Sequence, residues 1–234
     1  MLIIALLLSG LSFGQKLKVI GVNEDYFHHD KVEGFHCLYD RMPDYGYTWI
    51  GTLKIELDTI VQHTIKEIYS MAQDRANRLG ANAFRVKKDD LFSYGEEKYI
   101  TFDIFHLRME NRDGNRDLFK GKTLYLFGFL GHHQNMDGYT IKLNGEKMLL
   151  TELSYYQFEP KIGDVICLEI GSSAKKDKIE YKVDGKGWPR YFSFQMFHGL
   201  FSAHEISEYE WAYGEFLIQV LEKKPTGDRS LSNY

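Results

Sequence analysis

A chain of 234 residues, 44% of them hydrophobic and 26% charged, can bury its own core without disulfide or metal staples, which excludes disorder and a stapled miniature fold. A net charge of −4 with no basic stripe excludes a nucleic-acid binder, which needs a positive face against phosphates. An aromatic share of 15%, with 16 Tyr and 16 Phe, favours strands.

Leu2 to Leu8 is an unbroken apolar run, followed by Ser9, Gly10, Leu11, Ser12, Phe13 and Gly14. It is far short of the ~20 residues that cross a bilayer. A short apolar run ending in small residues predicts a signal peptide over 1–14, cut between Gly14 and Gln15, with Ser12 and Gly14 at the two positions that must be small. No Lys or Arg precedes the run, and no Cys stands at the cut to carry a lipid anchor. The expectation is an exported chain, periplasmic or secreted, with no transmembrane helix in its mature form.

Residues 15–44 read as an N-terminal strand and loop. Leu17 to Val22 alternates weakly, and Asn23 to Tyr47 is rich in His, Asp and Gly, with Pro43 breaking any regular element. Residues 45–108 read as an α/β domain. From Trp49 to Leu57, Leu53, Ile55 and Leu57 alternate with Thr52, Lys54 and Glu56, the mark of a half-buried strand. Val61, Ile65, Ile68, Ala72, Ala76 and Leu79 form one helical stripe, with Thr59 and Gln62 as a capping box and Gly80 at the C-terminal cap. Ala83 to Val86 and Tyr99 to Leu107 read as strands, so strand, helix and strand make a βαβ unit with a right-handed crossover.

The polar stretch 109–121 reads as a linker. Residues 122–223 then carry strands throughout: Thr123 to Phe129, Tyr139 to Leu143, Glu146 to Leu150, Asp164 to Ile170, Lys178 to Val183, Arg190 to Phe197 and Glu215 to Lys223. Asn144-Gly145 is a two-residue hairpin signal. Short strands at this spacing predict an antiparallel β-sandwich, with a tail over 224–234. The expected fold class is α+β: a small βαβ-containing domain followed by the sandwich.

Ala76-Asn77-Arg78-Leu79-Gly80-Ala81-Asn82-Ala83-Phe84 resembles the A-x-x-L-G-A-N-A helix-to-strand junction of the YbjQ-like family, which includes the fold of the stress-sensor lipoprotein of the Rcs system. The resemblance covers roughly residues 49–107 and implies the α/β fold there. It also implies heavy-metal binding, but only His63 and His106 fall in the matching segment, with no Cys, so the fold is carried over and the metal is not. Thr123-Leu124-Tyr125-Leu126-Phe127-Gly128, the Pro160 to Gly163 turn and Tyr191-Phe192 are similar to sandwich domains of bacterial envelope proteins. Ser12-Phe13-Gly14 before Gln15 resembles exports of Bacteroidetes-type bacteria.

Candidate chemistry is sparse. His28, His29 and Asp30 are adjacent, with His36 and Cys37 nearby, and His132 and His133 precede Asp137. Imidazoles with a carboxylate bind zinc or copper, but neighbouring side chains diverge on strands and helices alike, so His28, His29 and His36 are candidate metal ligands only if their loop folds them together. Glu205, Glu208 and Glu210 surround Trp211 in a way similar to laminarinase-type glycosidases, whose acids recur at alternate positions. Ser207 and Tyr209 stand at those positions here, and the pattern fails. Tyr155, Tyr156, Phe158, Trp188, Tyr191, Tyr209, Trp211 and Tyr213 can stack on sugars or pack in a core. Ser193 and Ser202 lie near His198 and His204 without a triad pattern, and no phosphate or dinucleotide loop is present. Cys37 and Cys167 fall in separate segments, which favours unpaired thiols.

No catalytic residue and no cofactor is expected. The leading expectation is an exported, non-enzymatic envelope protein with a binding or structural role, partnered by an envelope protein or a surface ligand. The alternatives are a periplasmic metal-binding or metal-sensing protein and a carbohydrate-binding module.

Overall fold

Alternating side chains in the first half build a five-stranded sheet, ordered β1-β3-β5-β4-β2. Its strands are β1 (Leu17–Val22), β2 (His36–Cys37), β3 (Tyr47–Leu57), β4 (Ala83–Val86) and β5 (Lys98–Leu107). The computed structural model describes residues 17–26, 32–57, 65–87, 98–128, 130, 138–172, 175–184, 187–197 and 203–226. The signal-peptide segment with Gly14 and Gln15, the Thr59–Gln62 capping box, and His28 and His29 lie outside them. Helix α1 (Ile65–Arg78) buries Ile68, Ala72 and Ala76, the stripe expected of it. It ends as anticipated: Gly80 takes φ +84, Ala81 N–H donates to Ala76 O at 2.9 Å and Gly80 N–H to Asn77 O at 3.2 Å, a Schellman cap.

The βαβ unit is split. β5 lies between β3 and β4 and is antiparallel to both, so the strands joined by α1 are parallel without touching. The stretch read as a plain loop contributes β2, which pairs parallel with β4 through His36↔Ala83 and Cys37↔Phe84.

Residues 109–121, expected to be a linker, carry helix α2 (Met109–Asp117). It escapes hydrophobic periodicity because its one fully buried side chain is polar. Asn115 Nδ2 donates to Cys37 O at 2.9 Å, and Tyr39 N–H donates to Asn115 Oδ1 at 3.0 Å. This amide replaces a strand neighbour for the free edge of β2.

The second half forms two further sheets from β6 (Leu124–Phe127), β7 (Gly138–Leu143), β8 (Glu146–Thr151), β9 (Ser154–Phe158), β10 (Val165–Ser172), β11 (Lys175–Lys182), β12 (Arg190–Phe197) and β13 (Ala203–Glu208). One is ordered β11-β10-β7-β8; the other is β13-β12-β6-β9-β14, closed by β14 (Glu222–Lys224). The expected hairpin is present, with φ 50° at Asn144 and 81° at Gly145, the left-handed pair of a type I′ turn. The expectation of purely antiparallel pairing is corrected: β12 pairs parallel with β6, and β14 parallel with β9. Both parallel strands return after long excursions, one through the other sheet and one through a helix, so neither is held to hairpin geometry.

That helix replaces the strand expected over Glu215 to Lys223. Residues Trp211–Val220 form α3, with Ala212 to Leu217 and Val220 all buried. A helix buried on nearly every side has no polar face to reveal its period, and its run of aromatic and branched residues reads equally well as a strand. Gly214 lets α3 approach β12: a Cβ there would lie 2.3 Å from the Tyr191 ring.

α3 organises the molecule. On one side it meets the first sheet, where Phe216 stacks on Phe102 at 5.6 Å and contacts Tyr69 of α1 at 5.2 Å. On the other it meets Phe127 and Tyr191 of the third sheet, in the same core cluster. Leu124, Leu126, Phe192 and Phe194 point from that sheet's other face into a second core, shared with Ile141, Ile166 and Leu168 of the second sheet. The result is a β-rich α+β fold.

Candidate functional site

α2, the end of β11, the start of β12 and the entry to α3 enclose a cleft of about 660 Å³. The α2 sequence places Arg112 and Arg116 four residues apart, on one face of the helix. Asn115 holds the His36–Tyr39 segment against the same helix, which brings His36 to the cleft wall. His36 and Cys37 share a strand and point oppositely: the thiol is buried in the core while the imidazole faces the cleft. Both cysteines are free.

Three aromatic groups shape the cleft. The Trp211 ring lies near-parallel to His36 at 6.1 Å and against Phe119 at 5.1 Å. Trp188 carries the Arg116 guanidinium 4.6 Å from its ring centre and Lys120 Nζ at 5.1 Å. Tyr181 lies under the Arg190 guanidinium at 4.3 Å.

The charges sort into paired and unpaired groups. Arg190 forms a two-point bridge to Glu208, at 2.5 Å through Nε and 2.6 Å through Nη2, the planar fork that guanidinium and carboxylate share. Among the described residues, Arg112, Arg116, Asp184 and Glu210 form no ion pair. Burial first, then the positive fields of Arg112 and Arg116, hold the His36 imidazole below its usual range. It therefore faces the cleft as a neutral hydrogen-bonding group. Two polar atoms at the cleft are buried with no partner among the described residues: Arg112 Nε and Tyr181 Oη. Burial pushes the Tyr181 phenol up to about 12.

Of the sequence candidates, the structure brings His36, Trp188, Tyr209, Trp211, Glu208 and Glu210 to this one cleft. Glu208 and Glu210 are not a pair on one strand face, because β13 ends at Glu208 and α3 starts at Trp211. Tyr156, Phe158, Tyr191 and Tyr213 are core residues. Ser193 is buried, and His132, His133, His198 and Ser202 lie outside the described residues. No group of three or more His, Cys, Asp or Glu placed to hold a metal ion occurs among the described residues. Arg112 and Arg116 were missed because their segment read as a linker; their four-residue spacing was the available signal. No helix among the described residues is long and apolar enough to cross a membrane.

Compared with known proteins, the chain matches no family model, no curated protein and no solved structure.

Proposed function

We propose that this is an exported, non-catalytic binding protein of the bacterial envelope that takes a small ligand in the cleft between α2 and α3. The observation that carries the reading is the pair Arg112 and Arg116, without ion-pair partners among the described residues, on the wall of a 660 Å³ cleft lined by Trp188 and Trp211. Ligand sites are concave and carry convergent polar groups that fix a ligand's orientation; this cleft is concave, and its lining is mostly charged with Trp188, Trp211, Tyr181 and Tyr209 set among the charges. Export rests on the apolar run and small residues before Gln15. A binding role rather than catalysis rests on the lack of any nucleophile–base motif in the sequence. The YbjQ-like junction at Ala76 to Ala83 supports kinship of the first sheet with envelope sensors. The core shared by the second and third sheets supports reading them as the expected sandwich.

The test is a thermal-shift and fluorescence screen of the purified chain against small anions, sugars, amino acids and metal ions, repeated on Arg112→Ala/Arg116→Ala and Trp188→Ala variants. Shifts that vanish in these variants are expected. Shifts that persist in both, or steady turnover of a glycan, peptide or ester, overturn the reading.

A further inference from the structure

We infer that the cleft is built for an acidic saccharide, a sugar ring that carries an oxyanion; this rests on the binding reading above and names its ligand class. The anion follows from Arg112 and Arg116. Neither has an ion-pair partner among the described residues, and Arg112 Nε is buried without an acceptor. A buried donor left unpaired is costly, and a guanidinium fork is matched by a carboxylate, sulfate or phosphate. Neutral His36 beside them adds a hydrogen bond without adding charge.

A bare anion does not fit the rest of the cleft. The volume of about 660 Å³ suits a drug-sized molecule. Asp113, Asp184 and Glu210 also line it, and these carboxylates repel a compact multivalent anion while accepting hydrogen bonds from hydroxyl groups. The Tyr181 hydroxyl, which has no hydrogen-bond partner among the described residues, serves a polyol in the same way. Trp188 carries Arg116 and Lys120 over its ring; a ligand oxyanion that draws the Arg116 guanidinium off the indole frees that face for the C–H side of a pyranose, which an isolated phosphate does not use. Oxyanion, hydroxyls and apolar ring face occur together in a uronic acid or a sugar phosphate.

Calorimetry on the full chain at low and high salt decides the matter. The probes are a uronic-acid trisaccharide, its neutral hexose analogue, a hexose phosphate, inorganic phosphate and a free amino acid. The acidic trisaccharide or the hexose phosphate is expected to bind at least roughly tenfold tighter than the neutral analogue, about 1.4 kcal/mol, and their relative strength tells carboxylate from phosphate. Arg112→Ala/Arg116→Ala abolishes this preference, and Arg112→Lys/Arg116→Lys restores part of it. Trp188→Ala weakens neutral as well as acidic sugars, with the larger loss for the acidic ones because the indole also supports Arg116, while Trp188→Phe retains binding. Equal affinity for the neutral sugar, binding of phosphate or amino acid alone, or no sugar binding at all overturns the inference. If another small molecule binds and Trp188→Ala removes it, the cleft reading survives that failure.

Discussion

Glu215 sits on a helix whose other side chains are almost all apolar, and it is 7% exposed. Its carboxylate accepts a hydrogen bond from the Tyr191 hydroxyl. Burial raises its pKa from 4.5 to about 7, against the lowering effect of that bond. The folded state therefore keeps a proton that the unfolded chain releases near 4.5, and between these values the folded state binds more protons. Stability from this group is fully present below about pH 4.5 and is lost as pH rises through about 7. At about 1.4 kcal/mol per pH unit, the window is worth on the order of 3 kcal/mol. Glu215→Gln, neutral at every pH and still able to accept from Tyr191, removes that slope. Urea unfolding of both proteins from pH 4.5 to 8 checks it: the gap between them changes by a few kcal/mol across the window, and parallel profiles refute the assignment.

At the scale of elements, legibility followed whether an element has a polar face. α1 was readable because Ile68, Ala72 and Ala76 sit on one stripe of a helix with solvent on the other. β12 was readable to the residue, and Asn144-Gly145 announced its hairpin because these two residues tolerate the left-handed backbone that the turn requires. α3 was not, since burial on all sides erases period. α2 was not, since its buried anchor is an amide. The site divided in the same way. His36, Trp188 and Trp211 were conspicuous by residue type, but Arg112 and Arg116 acquire meaning only once α2 is known to be a helix. α2 also supplies a test. Asn115 satisfies Tyr39 N–H and Cys37 O, so Asn115→Ala strands both backbone groups and is expected to cost about 1–3 kcal/mol. It also loosens the segment that holds His36. Denaturant unfolding measures the first effect, and ligand affinity at the cleft measures the second. Asn115→Asp keeps the acceptor but loses the donor to Cys37 O, and is expected to show a smaller but definite loss. No change in either variant means that the clamp is incidental.

At the scale of the whole molecule, the question is whether residues 45–108 form an independent body. The inner face of their sheet presents Leu53, Ile55, Phe84, Phe102 and Ile104, all essentially inaccessible in the full chain. α1 covers only part of that face. The rest is covered by Tyr213, Phe216, Leu217 and Val220 of α3, from more than 100 residues further along the sequence. The opposite face is mixed: Thr52, Asp103 and Lys87 form a polar network across part of it, while Phe105 and Leu107 are buried with Leu38 and Met42 from the N-terminal segment. Cutting the chain after residue 108 therefore exposes one large apolar face, at about 1.5–3 kcal/mol for each large side chain returned to water. A lone core of this size supplies no more than about 3–5 kcal/mol, so the fragment is expected not to fold cooperatively. Within the full chain, Phe216→Ala is expected to cost about 3–5 kcal/mol and to lower a single transition, since the side chain it removes belongs to a core that joins both halves. Circular dichroism and amide exchange on the fragment and on the variant measure this. A monomeric fragment with its own sharp melt, or a variant in which only one of two transitions moves, shows instead that the halves fold separately and that α3 merely rests against the first sheet.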